Sequence, residues 1–444
     1  PFLKGLNVSD SRLIDGLASG ETMHAFARTL FPICRSLTGD GVRTTLGFIK
    51  SIAPQLTVHE VPSGTTAFDW TVPDEWNIRT AYIEGPGGQR VVDFADNNLH
   101  VVGYSIPVNT TLDLEELQNH LHSLPDKPEV IPYVTSYYKR NWGFCLAHRE
   151  RQKLTAGNYK IVIDSDLKPG SLTYGELLIP GQSKDEILLS TYVCHPSMAN
   201  NELSGPVIAT FLAKWISSAK RKYTYRIVFV PETIGTVVYL SRFLEHLKKS
   251  VQAGFVLTCC GDDGRFSFMP SRTGNTYADK VARRVLSEHA PDFIEYSFLQ
   301  RGSDERQYCS PLVDLPIASI MRSKYHEYPE YHTSADNLDF VTATGLSSTL
   351  TLYAKVVESL EQNRIPRAVV VGEPQLGKRG LYPNVGGQID QKSVSALLDL
   401  LAYADGSNDL LDISRVTGHE LSTLESLTNT LIAHGILTTN FSHD

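Results

Sequence analysis

No stretch of the 444 residues approaches the roughly 20 consecutive apolar positions of a membrane-spanning helix. Basic charge is not in excess: Lys+Arg 41 against Asp+Glu 49 leaves a net −8. No global positive field therefore draws the chain onto nucleic acid or anionic lipid. Cysteine is sparse, with six residues (Cys34, Cys145, Cys194, Cys259, Cys260 and Cys309) and no CxxC spacing. That argues against a disulfide framework and for reduced thiols in the cytoplasm. Pro1-Phe2-Leu3-Lys4-Gly5 lacks the basic region and apolar stretch of a secretory signal, and the absence of an initiator Met points to a trimmed chain. Internal repeats and low-complexity tracts are also missing. What is present is 41% hydrophobic and 20% charged residues, enough apolar material for packed cores in about two to four domains.

Residues 10–55 read as helical, with Leu13, Ile14 and Leu17 on one face, then Met23, Phe26, Ala27, Leu30 and Phe31 on another. Gly39-Asp40-Gly41 breaks the pattern before a helix over Val42–Ile52. From about Leu56 the texture becomes short and alternating, with strands expected at Thr57–Val61, Phe68–Val72, Thr80–Glu84, Arg90–Phe94, Val101–Ser105 and Tyr159–Asp164. A helix is expected at Leu114–Leu121, where three leucines share a face. We read residues 56–164 as an inserted antiparallel β domain. Its aromatics Trp70, Trp76, Tyr137, Tyr138 and Trp142 are expected to serve packing.

After Ser171–Ile179 and Pro180-Gly181, strands and helices alternate. Strands are expected at Ile187–Val193, Arg226–Val230, Gly254–Cys260 and Leu315–Met321, with helices at 203–217, Ile234–Leu247, Tyr277–Ala290 and Leu346–Leu360. This order predicts an α/β domain, built from residues 1–55 and 165–365, with a mostly parallel sheet flanked by helices. Pro366–Gly387 reads as a linker. Ser393–Asp444 carries helix, helix, turn, helix and strand, so residues 366–444 are expected to hold a winged helix-turn-helix. From Lys392 onward two basic side chains face seven acidic ones, net −5. A nucleic-acid module needs a basic stripe, so this unit is expected to pack on the catalytic domain or a second copy of the chain, in a homo-oligomer.

Open parallel sheets bind ligands beyond the carboxyl ends of their strands. Cys194-His195-Pro196 follows the first expected strand, Pro231-Glu232-Thr233 the second, Gly261-Asp262-Asp263 the third, and Tyr331-His332-Thr333 lies beyond the fourth. Two imidazoles and two carboxylates on one edge suit a borderline metal such as zinc. His195 and His332 fit ligation, with Asp262 as a carboxylate candidate, and Glu232 fits a base that takes the proton of the attacking water. Asn200-Asn201-Glu202-Leu203-Ser204-Gly205 opens the next helix, where Asn201 is either a cap or a site residue. Strand alternation places the Cys194 thiol on the face opposite His195.

The pattern His195, Asn201-Glu202-Leu203-Ser204-Gly205, Glu232-Thr233-Ile234-Gly235 and Tyr331-His332-Thr333 resembles the co-catalytic zinc aminopeptidases. More specifically, it resembles an aminopeptidase-like family linked to polysaccharide biosynthesis, in which the peptidase-like domain holds an inserted β domain and precedes a winged helix. Cys194–Asn201, Phe68-Asp69-Trp70-Thr71-Val72-Pro73, Tyr133-Val134-Thr135-Ser136-Tyr137-Tyr138, Trp142-Gly143-Phe144-Cys145 and Gly302–Tyr308 carry that likeness. The departures carry equal weight. The metal-bridging Asp of the peptidases falls on neutral Asn201, the Glu that ligates their second metal falls on Thr233, and the carboxylate that orients their first His falls on Ser197.

Two lost carboxylates remove the charge that holds two dications about 3.5–4 Å apart. The expectation is therefore one divalent metal, zinc or else iron, held by His195 and His332 and completed by Asp262, Glu202 or the Asn201 amide oxygen. The resemblance also implies a substrate-gripping segment at Arg301-Gly302-Ser303-Asp304-Glu305-Arg306. There Arg301 or Arg306 would fork onto a carboxylate or phosphate and Asp304 or Glu305 would hold an amine, a solvated charge run being the plain alternative. Tyr331, with Tyr325 and Tyr328, would wall the pocket. The expected activity is hydrolysis of an amide in a small amino-acid- or amino-sugar-containing molecule, with Glu232 as general base. The rival is a peptidase fold that only binds.

Overall fold

The computed structural model of the chain describes residues 16–381 and 391–440. The expected face at Leu13 and Ile14 lies outside the described residues, as does the end of the expected linker. Two compact units are present: residues 16–279 with Ala290–Tyr353, and Lys280–His289 with 354–440.

In the first unit an eight-stranded sheet runs in the order Thr57–Pro62, Ser171–Ile179, Thr224–Val230, Glu186–Tyr192, Val251–Val256, Ile317–Met321, Ser267–Met269, Ile294–Glu295. The middle four strands are parallel to one another, and antiparallel strands extend the sheet on both sides. Glu186–Tyr192 is buried at every position, as a continuous apolar run covered on both faces requires. The helices Ser204–Ile216 and Ile234–Ser250 start from the two strand ends that carry His195 and Glu232. Gly205 is required where the first of these passes the sheet, because a Cβ there would lie 2.2 Å from the Leu257 carbonyl oxygen.

The insertion differs in its limits from the sequence expectation. Thr57–Pro62 joins the edge of the main sheet, paired with Ser171–Ile179, so the insertion runs between those two strands. Its own sheet has four antiparallel strands in the order Arg90–Asp93, Glu75–Glu84, Asn158–Lys168, Val108–Asp113. The expected strand at Val101–Ser105 is reduced to isolated bridges, Val101 to Phe144, Gly103 to Thr135 and Ser105 to Asn141. Phe68–Val72 becomes a two-residue hairpin, Thr66–Ala67 against Trp70–Thr71.

The second unit pairs Ile365–Ala368 with Leu437–Asn440 beside the helices Gln391–Tyr403, Leu410–Thr417 and Leu421–Ala433. Gly418 ends the middle helix in the left-handed conformation, at φ 78°. Among the described residues, no helix is long and apolar enough to cross a membrane.

Candidate metal centre

His195, Glu232 and His332 meet at one rim of the parallel sheet. The His195 and His332 rings have centroids 5.6 Å apart. The His195 Nε2 lies 3.5 Å from a Glu232 carboxylate oxygen. The opposite ring nitrogen, Nδ1, is 2.7 Å from Glu202 Oε2. Glu202 is fully buried and reaches His195 because Ala199–Leu203 forms a π-type turn before the helix. A carboxylate on one nitrogen fixes the tautomer and leaves the other free to ligate, the arrangement that usually supports a metal-bound histidine. Glu202 thus orients the ring, a role the spacing hid because it lies seven positions beyond the histidine, whereas the resemblance looks for that carboxylate at Ser197. Behind it, buried Arg35 donates from Nε to the His195 carbonyl at 3.0 Å and stands 3.9 Å from Glu202 Oε1.

The amide of Asn201 is locked by a relay. Thr258 donates to the Asn201 carbonyl at 3.0 Å, so the Tyr192 hydroxyl must donate to Thr258 Oγ1. Tyr192 can then only accept, and it does so from Asn201 Nδ2 at 2.9 Å. The amide oxygen is left to face His332 Nε2 at 3.2 Å. Asp336 holds the same turn from beneath, accepting the backbone N–H groups of Asn200 at 2.5 Å and Asn201 at 3.0 Å.

Burial and the neighbouring His195 depress the His332 imidazole to about 3, so it is neutral and available as a ligand. Burial works against the His195 imidazolium, but the Glu202 and Glu232 carboxylates outweigh it and raise the group. Burial raises the Glu232 carboxyl, and a fifth of its side chain (20%) stays accessible. Two imidazole nitrogens and an amide oxygen, beside a carboxylate, form a donor set that fits a divalent cation of the zinc type. The 3.2 Å between the Asn201 oxygen and His332 Nε2 is close to the spacing of about 3.4 Å expected for tetrahedral zinc ligands.

Other predicted site residues sit elsewhere. Asp262 has both oxygens occupied: Gly264 N–H at 2.7 Å, Ser323 hydroxyl at 2.7 Å and N–H at 3.1 Å, and Asn200 Nδ2 at 2.9 Å. The strand before it ends at Val256, and the extra residues turn the carboxylate into its own loop rather than toward the histidines. Asp304 is wholly buried and accepts the Thr233 N–H at 2.8 Å, so it supports the turn after Glu232 instead of facing an amine. Burial and the Glu232 charge push its carboxyl up to about 8. Arg301 lies over the Phe298 ring, 5.1 Å from its centroid. Exposed Arg306 reaches Thr233 Oγ1 at 2.7 Å and brings a cation to the site. Tyr331 stacks on His332 at 3.9 Å, whereas Tyr325 and Tyr328 are buried.

The Cys194 thiol does not point away. Its strand ends at Tyr192, so alternation no longer applies, and Sγ lies 3.3 Å from His195 Nδ1 while accepting the Glu232 N–H at 3.2 Å. Among the described residues, Cys194, His195 and Glu202 form a cluster with ligand atoms within 4.8 Å of one another. Burial holds the thiol well above its ordinary range, which keeps it neutral and non-nucleophilic. Tyr133, which no sequence pattern marks as a site residue, stands with its ring 5.1 Å from His195 and 5.2 Å from His332. Backbone strain gathers here: Ser197, Thr233, Cys259 and His332 all have positive φ, 37° to 63°.

Comparison with known proteins identifies the family and the fold. Residues 24–363 match a family described as a domain of unknown function, DUF4910, and residues 364–439 match a winged helix-turn-helix. A Clostridium acetobutylicum protein, provisionally named as a polysaccharide biosynthesis protein with an aminopeptidase-like domain, is 46% identical over 408 residues, covering 90% of this chain and 92% of its own. The crystal structure of a provisionally assigned peptidase from Clostridium acetobutylicum superposes with a TM-score of 0.89 at 43% identity, covering 95% and 96% of the two chains. A zinc aminopeptidase from Bacillus subtilis shares the fold at 13% identity, with a TM-score of 0.55 over 76% of this chain and 94% of that one. The chain belongs to the DUF4910 family, with an aminopeptidase-like α/β fold followed by a winged helix-turn-helix.

Proposed function

We propose that the chain is a metal-dependent hydrolase of an amide bond in a small amino-acid- or amino-sugar-containing substrate, using one divalent ion. The observation that carries this reading is the placement of Glu232 at 3.5 Å from the His195 nitrogen that Glu202 leaves free, with His332 across the gap. His195, His332 and the Asn201 amide oxygen would hold the ion, which supplies Lewis acidity for water and carbonyl when bound. Zinc suits these donors, with iron the alternative. Glu232, raised by burial, takes the proton of the attacking water and returns it to the leaving amine. Arg306, anchored on Thr233, offers a charge to an anionic substrate group. The relative's link to polysaccharide biosynthesis supports a sugar-bearing substrate. Six unpaired cysteines support a reducing, cytoplasmic setting.

Metal analysis of the wild-type protein and of His195→Ala and His332→Ala tests the site. The expected result is a near-stoichiometric ion in the parent and loss in both variants; full retention in both would refute the assignment. A second reading, a lapsed enzyme that only binds, draws on Asn201 and Thr233 in place of carboxylates. It predicts no turnover of any amide and ligand affinity unchanged in Glu232→Gln.

A further inference from the structure

Six large aromatic side chains are exposed among the described residues, and four of them, Phe68, Trp70, Tyr137 and Tyr138, belong to two adjoining segments. Phe68 and Tyr138 are 53% and 52% exposed. This reverses the packing role expected for Trp70, Tyr137 and Tyr138, while Trp76 is buried as expected and Trp142 stacks on His120. The two segments are tied together: the Trp70 and Tyr138 rings have centroids 6.3 Å apart, and the Tyr138 hydroxyl donates to the Thr71 carbonyl at 2.7 Å. Exposed aromatic clusters of this kind mark recognition surfaces.

The cluster is continuous with the metal centre. Tyr133 lies in the same segment, four and five positions before Tyr137 and Tyr138, and packs against both site histidines. The backbone is strained to present the rings, with φ 53° at Phe68 and 25° at Tyr137. Phe68 occupies a hairpin turn where Asn or Gly would ordinarily take the positive φ without strain. Strain retained at exposed aromatics beside a reactive centre points to a ligand.

We infer that Trp70 and Tyr138, flanked by Phe68 and Tyr137, form a subsite for a pyranose ring of the substrate, so that the amide brought to Glu232 is carried on a sugar. The inference rests on the hydrolase reading above and narrows its substrate class. Aromatic faces match the C–H face of a pyranose, and the exposed side chains of Asp69, Thr71, Lys139 and Arg140 can meet its hydroxyls. Neither segment exposes an aliphatic side chain of the large kind that a peptide-binding patch would add.

Calorimetric titration of the full-length protein with N-acetylglucosamine, N-acetylgalactosamine, glucose and a β-linked disaccharide of N-acetylglucosamine tests the subsite, with a leucine-containing dipeptide as comparison. We expect saturable sugar binding in wild type and in the non-hydrolysing Glu232→Gln, weakened about tenfold in Trp70→Ala and Tyr138→Ala and retained in Tyr138→Phe. Circular dichroism and metal content should match wild type in all these surface variants. Absence of binding for every sugar, or binding unchanged in both alanine variants, would overturn the subsite; so would a dipeptide that alone responds to Trp70→Ala. Sugar binding without hydrolysis of any amide would refute the enzymatic reading and leave the subsite standing. Hydrolysis of unglycosylated amides without sugar binding would do the reverse.

Discussion

Glu202 Oε2 and His195 Nδ1 are 2.7 Å apart in a wholly buried environment, with Arg35 behind the carboxylate. Replacing the carboxylate by the isosteric amide removes the charge that makes the imidazole a strong donor. Glu202→Gln should weaken zinc affinity about 10–100-fold in a chelator competition. Both Glu202→Gln and Glu202→Ala leave Arg35 as an unpaired buried charge, so each should also destabilise the protein by about 3–5 kcal/mol in urea.

Glu232 is assigned proton transfer and not ligation. Glu232→Gln should therefore lower kcat by about 10²–10⁴ with little change in KM. Its metal content should equal that of wild type by plasma emission; a variant that loses the ion would make Glu232 a ligand.

Asp304 makes folding stability pH-dependent. Its carboxyl lies at about 8 in the folded chain against an ordinary value of 3.8, with burial the chief cause. The folded state keeps a proton that the unfolded chain gives up, so this contribution is full below about 3.8 and is lost as pH rises toward about 8. Asp304→Asn mimics the protonated form and still accepts the Thr233 N–H. Its stability relative to wild type should climb across that window in pH-resolved thermal unfolding; a flat difference would refute the assignment.

Thr233 holds φ 63° with a β-branched side chain, and its hydroxyl anchors Arg306. Thr233→Gly should stabilise the fold by about 0.5–1 kcal/mol and lower kcat/KM by about tenfold. Denaturant midpoints and steady-state rates measured side by side would show the exchange.

The net −5 from Lys392 onward predicts that the winged unit does not retain duplex DNA at physiological salt. A gel shift with random and genomic fragments checks this.

His195 and Glu232 were legible because each stands just past a strand whose apolar run announces burial on both faces, whereas His332 lies eleven residues beyond its strand and was placed by its order in the pattern. The zinc-peptidase-like order of strands and helices was legible for the same reason. Asp262 was not, because its loop leaves the sheet at Val256 and closes on Ser323 and Gly264, partners that no periodicity reveals. Glu202 is legible only as one of three groups that could complete the shell, since its orienting role depends on a π-type turn that propensity does not signal. The aromatics of the insertion carried no pattern separating packing from display. Trp76 is buried with its indole N–H on the Ser105 carbonyl, whereas Trp70 lies across a turn that turns outward.

The hydroxyl relay from Tyr192 through Thr258 restricts what position 201 can carry. An aspartate at position 201 would turn an oxygen toward Tyr192, which already spends its proton on Thr258. Both hydroxyls would have to reverse direction, and the carbonyl of residue 201 would forfeit its donor. A carboxylate at this position would therefore require the surrounding hydrogen bonds to be rebuilt along with it. The neutral amide is wired into its neighbours, and a change of charge there cannot be made at one residue alone.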